Sequence, residues 1–272
     1  MTEVFTVVAA RPGTSNGDRR AAMAAAVMAA PSGADLVVLP FLGANTYLPA
    51  SLDRAGYRYA ERAPFPTVEA VAVAAREREV AVAVSLYEAA GEGVFFSSLA
   101  LIGPAGTVVG TYRQAHAINL PQQHEQLFFQ PGTSGFPVFP LGETTVGFLL
   151  GGDLWVPEAA RVLALGGAAV LVAIVAEPAR HGSLAIALAR ARAAENGCAV
   201  VVASRTGHGL AGRSMAFDAA GAPIAECGPD EPAMVAAIDL LGLETSRRGG
   251  TPLTARWPRL YGALTGRGEE EG

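Results

Sequence analysis

Gly147-Phe148-Leu149-Leu150-Gly151-Gly152-Asp153-Leu154-Trp155-Val156-Pro157-Glu158 holds a strand, a corner and a helix start in one short run. The apolar residues end at a Gly-Gly corner, an acid and a tryptophan follow, and Pro157-Glu158 suits the first turn of a helix. A strand that turns sharply into a helix is a frame in which enzymes hold up a nucleophile. Here the corner carries none, because Gly151 has no side chain.

Working outward, strands alternate with helices. Val4 to Ala10 reads as a strand, Asp18 to Ala30 as an alanine-rich helix stopped by Pro31-Ser32-Gly33, and Asp35 to Pro40 as a buried strand. A helix is expected from about Thr67 to Arg78, and strands over 80–87, 95–102 and 108–112, the last two joined by a turn at Gly103-Pro104-Ala105-Gly106. Arg113 to Thr133 is a long polar connection of the kind that carries function when ordered. Beyond it come a strand at 146–150, a helix at 157–165, a strand at 168–175, a helix at 183–196, a strand at 198–204 and short strands around Ser214, Pro223 and Val235. This alternation argues α/β. The corner at Leu39-Pro40 returns weakly at Leu150-Gly151; no other repeat, linker or domain boundary is visible. Residues 1–245 read as one domain. Residues 246–272, ending in Gly-Glu-Glu-Glu-Gly, read as an extended arm or a disordered end.

The chain has 272 residues, about half of them apolar, enough for a sizeable core. Its net charge of −5 offers no basic face, so no nucleic-acid partner is expected. All 20 basic residues are arginine, which leaves no ammonium side chain for catalysis. Cys198 and Cys227 make no disulfide framework, and Cys198 reads as a buried strand residue. The start of the chain lacks a signal peptide's pattern, and the longest apolar run, Val162 to Ala176, is too short to span a bilayer. A cytoplasmic protein without a membrane partner is the expectation. The four histidines and two cysteines never reach ligand spacing, so neither a metal site nor a cofactor is expected, and Gly147 to Gly152 lacks the ending of a phosphate loop.

Four segments together resemble the nitrilase, or carbon–nitrogen hydrolase, superfamily over roughly residues 4–240. They are Leu39-Pro40-Phe41, Tyr112-Arg113-Gln114-Ala115-His116, Gly151-Gly152-Asp153 to Pro157-Glu158, and Arg190-Ala191-Arg192-Ala193-Ala194-Glu195-Asn196. The segment Glu125 to Val138 looks most like the carbamoylase and amidase branch. The resemblance implies a four-layer α-β-β-α sandwich, commonly dimerised through a helical face. It also implies hydrolysis of carbon–nitrogen bonds by a cysteine, with a glutamate taking its proton and a lysine and a backbone N–H holding the oxyanion. Position by position, the glutamate's place holds Phe41, the lysine's Gln114 and the cysteine's Gly151. The second acid, Glu125, is present, and the Gly152 N–H is expected to survive. Without the nucleophile the covalent route closes, a loss on the order of 10⁴–10⁶ in turnover.

Each remaining residue has two readings. Phe41 is packing or a ligand platform; Gln114 satisfies the neighbouring acid or orients a substrate; Asp153, His116 and Arg113 hold the scaffold together or serve the chemistry. Glu125, without a lysine beside it, is expected to be desolvated with a raised pKa, and so to be available as an acid or base. Glu177 and His181 would face each other if their segment were helical, or lie on an ordinary loop. His124 and His208 read as loop residues, and Gly151, Gly152 and Trp155 are candidate ligand contacts. Three functions stay open: a pseudoenzyme binding a small molecule or a partner subunit, a repurposed enzyme running non-covalent acid–base chemistry, and a structural subunit of an active homologue. A homodimer or an assembly with a homologue is expected.

Overall fold

The computed structural model describes residues 4–13, 17–207 and 209–266; His208 and the Glu269–Glu271 run lie outside them. The strands are β1 (Val4–Ala10), β2 (Leu36–Val38), β3 (Ala81–Gly91), β4 (Val94–Ile102), β5 (Val108–Arg113), β6 (Asn119–Leu120), β7 (Gln123–His124), β8 (Val138–Leu141), β9 (Thr144–Leu150), β10 (Val170–Val175), β11 (Ala199–Ser204), β12 (Ser214–Phe217), β13 (Pro223–Cys227) and β14 (Ala233–Asp239). The helices are α1 (Arg19–Met28), α2 (Pro66–Arg78), α3 (Glu125–Phe128), α4 (Pro157–Leu165), α5 (Gly182–Asn196), α6 (Leu240–Arg248) and α7 (Gly262–Thr265).

Two six-stranded mixed sheets form, in the orders β14-β1-β2-β3-β4-β5 and β13-β12-β11-β10-β9-β8. Alternation along the strands explains the layers. In β10, Val170, Val172 and Ile174 enter the core between the sheets, where they meet residues such as Val7, Val38 and Ala83. Leu171, Ala173 and Val175 face the other way, onto α4 and α5 through Ala160, Leu163, Ala189 and Ala193. On the far side, Val8, Val37 and Val82 pack against Met23 and Val27 of α1 and Val71 and Ala75 of α2. The result is the α-β-β-α sandwich.

Local chemistry sets the helix starts. Asp18 caps α1 by accepting from Arg20 N and Ala21 N, and Pro66 and Pro157 occupy the first turns of α2 and α4. Two expectations change and two segments gain detail. Strand β8 was not anticipated, because Pro140 interrupts its pattern; it lies at a sheet edge, where a missing N–H is tolerated. The connection after Arg113 is ordered by the β6–β7 hairpin and the single turn α3. Cys198 is buried but directly precedes β11. Helix α6, Leu240–Arg248, is capped by Asp239, whose side chain accepts from Gly242 N.

Two arginines join the sheets. Arg11, at the end of β1, donates to Gly228 O, Gly212 O and Ser214 Oγ. Arg205, at the end of β11, donates to Phe41 O and Leu42 O at 2.7 Å each and to Asn45 O at 2.5 Å.

Candidate functional site

The candidate residues gather where parallel strands end, the usual crevice of α/β sheets. Phe41 follows β2, Gly151 follows β9, Glu177 follows β10 and Arg205 follows β11, while Gln114 leaves the antiparallel strand β5.

Glu125 is the centre. It is wholly buried at the start of α3. Its Oε2 accepts from Gln114 Nε2 at 2.7 Å, Ile118 N at 3.1 Å and Gly152 N at 3.3 Å, and its Oε1 accepts from Gln123 Nε2 at 3.2 Å. Burial pushes its pKa up to about 8, against the pull of the Ile118 N–H and the Gln123 and Gln114 amides. Gln114 Nε2 also donates to His116 O at 3.0 Å, which fixes the orientation of its amide.

Gly151 has φ +44°, and a Cβ there would run into Glu125 Oε1 and lie 3.0 Å from Gln114 Nε2. The volume a side chain at 151 would need is therefore held by a carboxylate and an amide. The Gly152 N–H is present and donates to Glu125 Oε2.

Asp153, also buried, accepts from Tyr112 Oη at 2.7 Å, His116 N at 2.9 Å and Leu150 N at 3.1 Å, with His116 Nδ1 at 3.0 Å. It locks the corner after β9 to the segment after β5. The His116 ring stacks on Phe136. Arg113 turns instead to Glu88, at 2.5 Å, and to the face of Phe96. The Phe41 ring is wholly buried against Tyr47 and Phe129, with centroids at 6.3 and 6.4 Å. Leu42 beside it has φ +49°, a costly conformation for leucine, held by Ser85 Oγ on its N–H and Arg205 on its carbonyl.

Glu177 and His181 do not form a helical pair. A bridge from Pro178 to Leu210 and a single 3-10 turn, Ala179–His181, separate them. Both meet Trp155 instead: its Nε1 donates to Glu177 Oε1 at 3.1 Å, and the His181 ring packs edge-on at 5.9 Å. Burial pushes the Glu177 pKa up to about 7. Three participants escaped sequence reading: Tyr47, Gln123 and Arg205. The Tyr47 hydroxyl is buried, and its pKa is driven well above the ordinary value by burial and then by Glu125 and Glu177. A charge ending an apolar strand, Val-Val-Val-Ala-Ser-Arg205, was the one available signal.

Neither thiol reaches this site. Ala199 pairs with Val170 and Val170 with Val146, so Cys198 lies at the opposite end of the sheet from Gly151, roughly 20 Å away at ~3.3 Å per residue. Cys227 ends β13, four strands from β9, again roughly 20 Å at ~4.8 Å per strand. Among the described residues no cluster of three His, Cys, Asp or Glu could hold a metal, and no helix is long and apolar enough to cross a membrane.

Residues 10–248 match the model of the carbon-nitrogen hydrolase family. The chain is 32% identical to an N-carbamoylputrescine amidase of Solanum tuberosum over 219 residues, covering 73% of each protein. It is 32% identical to an (R)-stereoselective amidase of a Pseudomonas species over 237 residues, 85% of this chain and 82% of that protein. A carbon-nitrogen hydrolase from Helicobacter pylori G27 superposes with a TM-score of 0.88 at 23% identity, covering 97% of this chain and 99% of its own, a likeness of fold. With the sandwich, the strand-end site and these matches together, the chain belongs to the carbon–nitrogen hydrolase, or nitrilase, superfamily, with amidases among its relatives.

Proposed function

We propose that this chain is a non-hydrolytic member of its family that uses the strand-end site to bind a small molecule. One observation carries the reading: the Glu125 carboxylate fills the space that a side chain at 151 would need, and both thiols lie roughly 20 Å away. A thioester cannot form without a sulfur at the corner, and the chain has no lysine to hold an oxyanion. Buried side-chain oxygens without a well-formed bond, on Gln114, Gln123, Glu177 and Tyr47, favour ligand binding over a closed structural core. The test is incubation with N-carbamoylputrescine, simple amides and nitriles, and an activated ester, followed by intact-protein mass measurement and an ammonia assay. Neither an acyl adduct nor ammonia is expected; an adduct on any residue of the wild-type chain sinks the reading.

A second reading has its own support. Carboxyl groups titrating at about 8 and about 7, Glu125 and Glu177, are poised for proton transfer near neutral pH, so a non-covalent acid–base reaction is the alternative. A turnover of a small nitrogen-containing metabolite that survives in Glu143→Gln and vanishes in Glu125→Gln would establish it.

A further inference from the structure

The unpartnered atoms around Gln123 are alike in one respect: they can accept a hydrogen bond. Gln123 gives its Nε2 to Glu125, and Gln114 gives its Nε2 to Glu125 and His116 O. These bonds leave the carbonyl Oε1 of each amide without a donor. Glu177 uses one oxygen on Trp155; the Gln123 amide also lies near it, but Oε2 has no well-formed bond, although the residue is 1% exposed. The Tyr47 hydroxyl lies close to the Gln123 amide and also lacks a well-formed bond. Glu125 and Glu177 act on each other and on Tyr47, so these groups form one cluster.

Charge points the same way. Among the described residues no ion pair reaches Glu125 or Glu177. Arg205 is committed to three main-chain carbonyls. Two buried carboxyls and the amide oxygens of Gln123 and Gln114 disfavour an anion; a carbonyl ligand would have the Tyr47 hydroxyl, the buried His181 Nε2 and any carboxyl still protonated to accept from, whereas an N–H-rich cation meets acceptors throughout. Buried acceptors call for N–H donors, and buried carboxylates for a counter-charge. Trp155 and His181, beside Glu177, are half-buried, which leaves an approach on that side and an aromatic surface for a cation.

We propose that this cluster binds a small organic cation rich in N–H donors, an amine, amidine or guanidine, with its charge against Glu177 and its N–H groups on the carbonyls of Gln123 and Gln114. The proposal rests on the ligand-binding reading above and names its ligand class.

The test is calorimetric titration of the full chain with methylguanidine, putrescine, methylurea and 1-butanol. Methylguanidine or putrescine is expected to bind about tenfold or more tightly than methylurea, and 1-butanol not at all. Glu177→Gln should weaken the cation about tenfold and leave methylurea unchanged; Glu143→Gln, on the surface, should retain cation binding. Cation binding near neutral pH should release protons, because the held carboxylate is the ionised form. Methylurea binding as tightly as methylguanidine, no cation binding at millimolar concentration, or an unaltered Glu177→Gln each overturns the proposal. Tight methylurea binding would overturn the cation alone and leave the non-hydrolytic reading standing; an acyl adduct in the mass measurement would remove that reading instead.

Discussion

A methyl group at position 151 collides with Glu125 Oε1, and the carboxylate cannot swing away without breaking its bond to Gln123. Gly151→Ala should therefore lose about 1–3 kcal/mol in chemical denaturation. Trimming the obstacle should relieve the clash, so Gly151→Ala/Glu125→Ala should fall short of the sum of the single losses. Additive losses would mean that the two sites do not compete for space. The same carboxylate sets a pH dependence. Burial raises Glu125 to about 8 and Glu177 to about 7 from 4.5, so between those limits the folded chain holds protons that the unfolded chain has released. Stability from these groups is greatest at the acid end of the window and falls as pH rises through 7 to 8. The urea midpoint should be lower at about pH 8.5 than at about pH 6, and the decline should be shallower in Glu125→Gln. A midpoint that climbs across this range would contradict the buried, protonated carboxyls.

Elements are held to one another by side chains at their ends. Arg205 reaches from β11 to three carbonyls of the Phe41–Asn45 segment, and those carbonyls shape the turn that places Phe41, strained Leu42 and Tyr47. Arg205→Ala leaves them unpaired and should cost about 2–4 kcal/mol. Arg205→Lys should recover only part, since an ammonium does not reproduce the planar fork. Full recovery by lysine in a denaturation series would reduce the latch to simple charge. The segment Tyr112–Gln130 likewise depends on others: Asp153 ties His116 down, and Glu125 collects Gln114, Ile118, Gln123 and Gly152 around one carboxylate.

For the molecule as a whole, three apolar layers enclose both thiols. Cys198 is fully buried, with its Sγ 3.2 Å from Ala168 O, and burial pushes its pKa to about 11 despite nearby Arg247. Cys227 is 2% exposed. An aromatic disulfide reagent should label neither in native buffer, and labelling in denaturant should follow the loss of circular dichroism with one midpoint. Rapid native labelling of Cys198 would reopen the question of a displaced nucleophile.

Periodicity and punctuation in the chain were enough to place most elements, from α2 after Pro66 to α4 after Pro157, because strand alternation and helix starts are local properties. The family frame was likewise legible, since motif order over residues 10–248 is a property of the chain itself. Strand β8 was not, because Pro140 obscures a pattern that only an edge position makes tolerable. Nor was the union of Tyr47, Gln123, Glu177 and Arg205, which come from four separate segments and meet only where the two sheets close over one another. One-dimensional spacing carries which face a residue presents. Long-range packing alone decides which carboxylate lies against Gly151, and which buried oxygens are left without a well-formed bond.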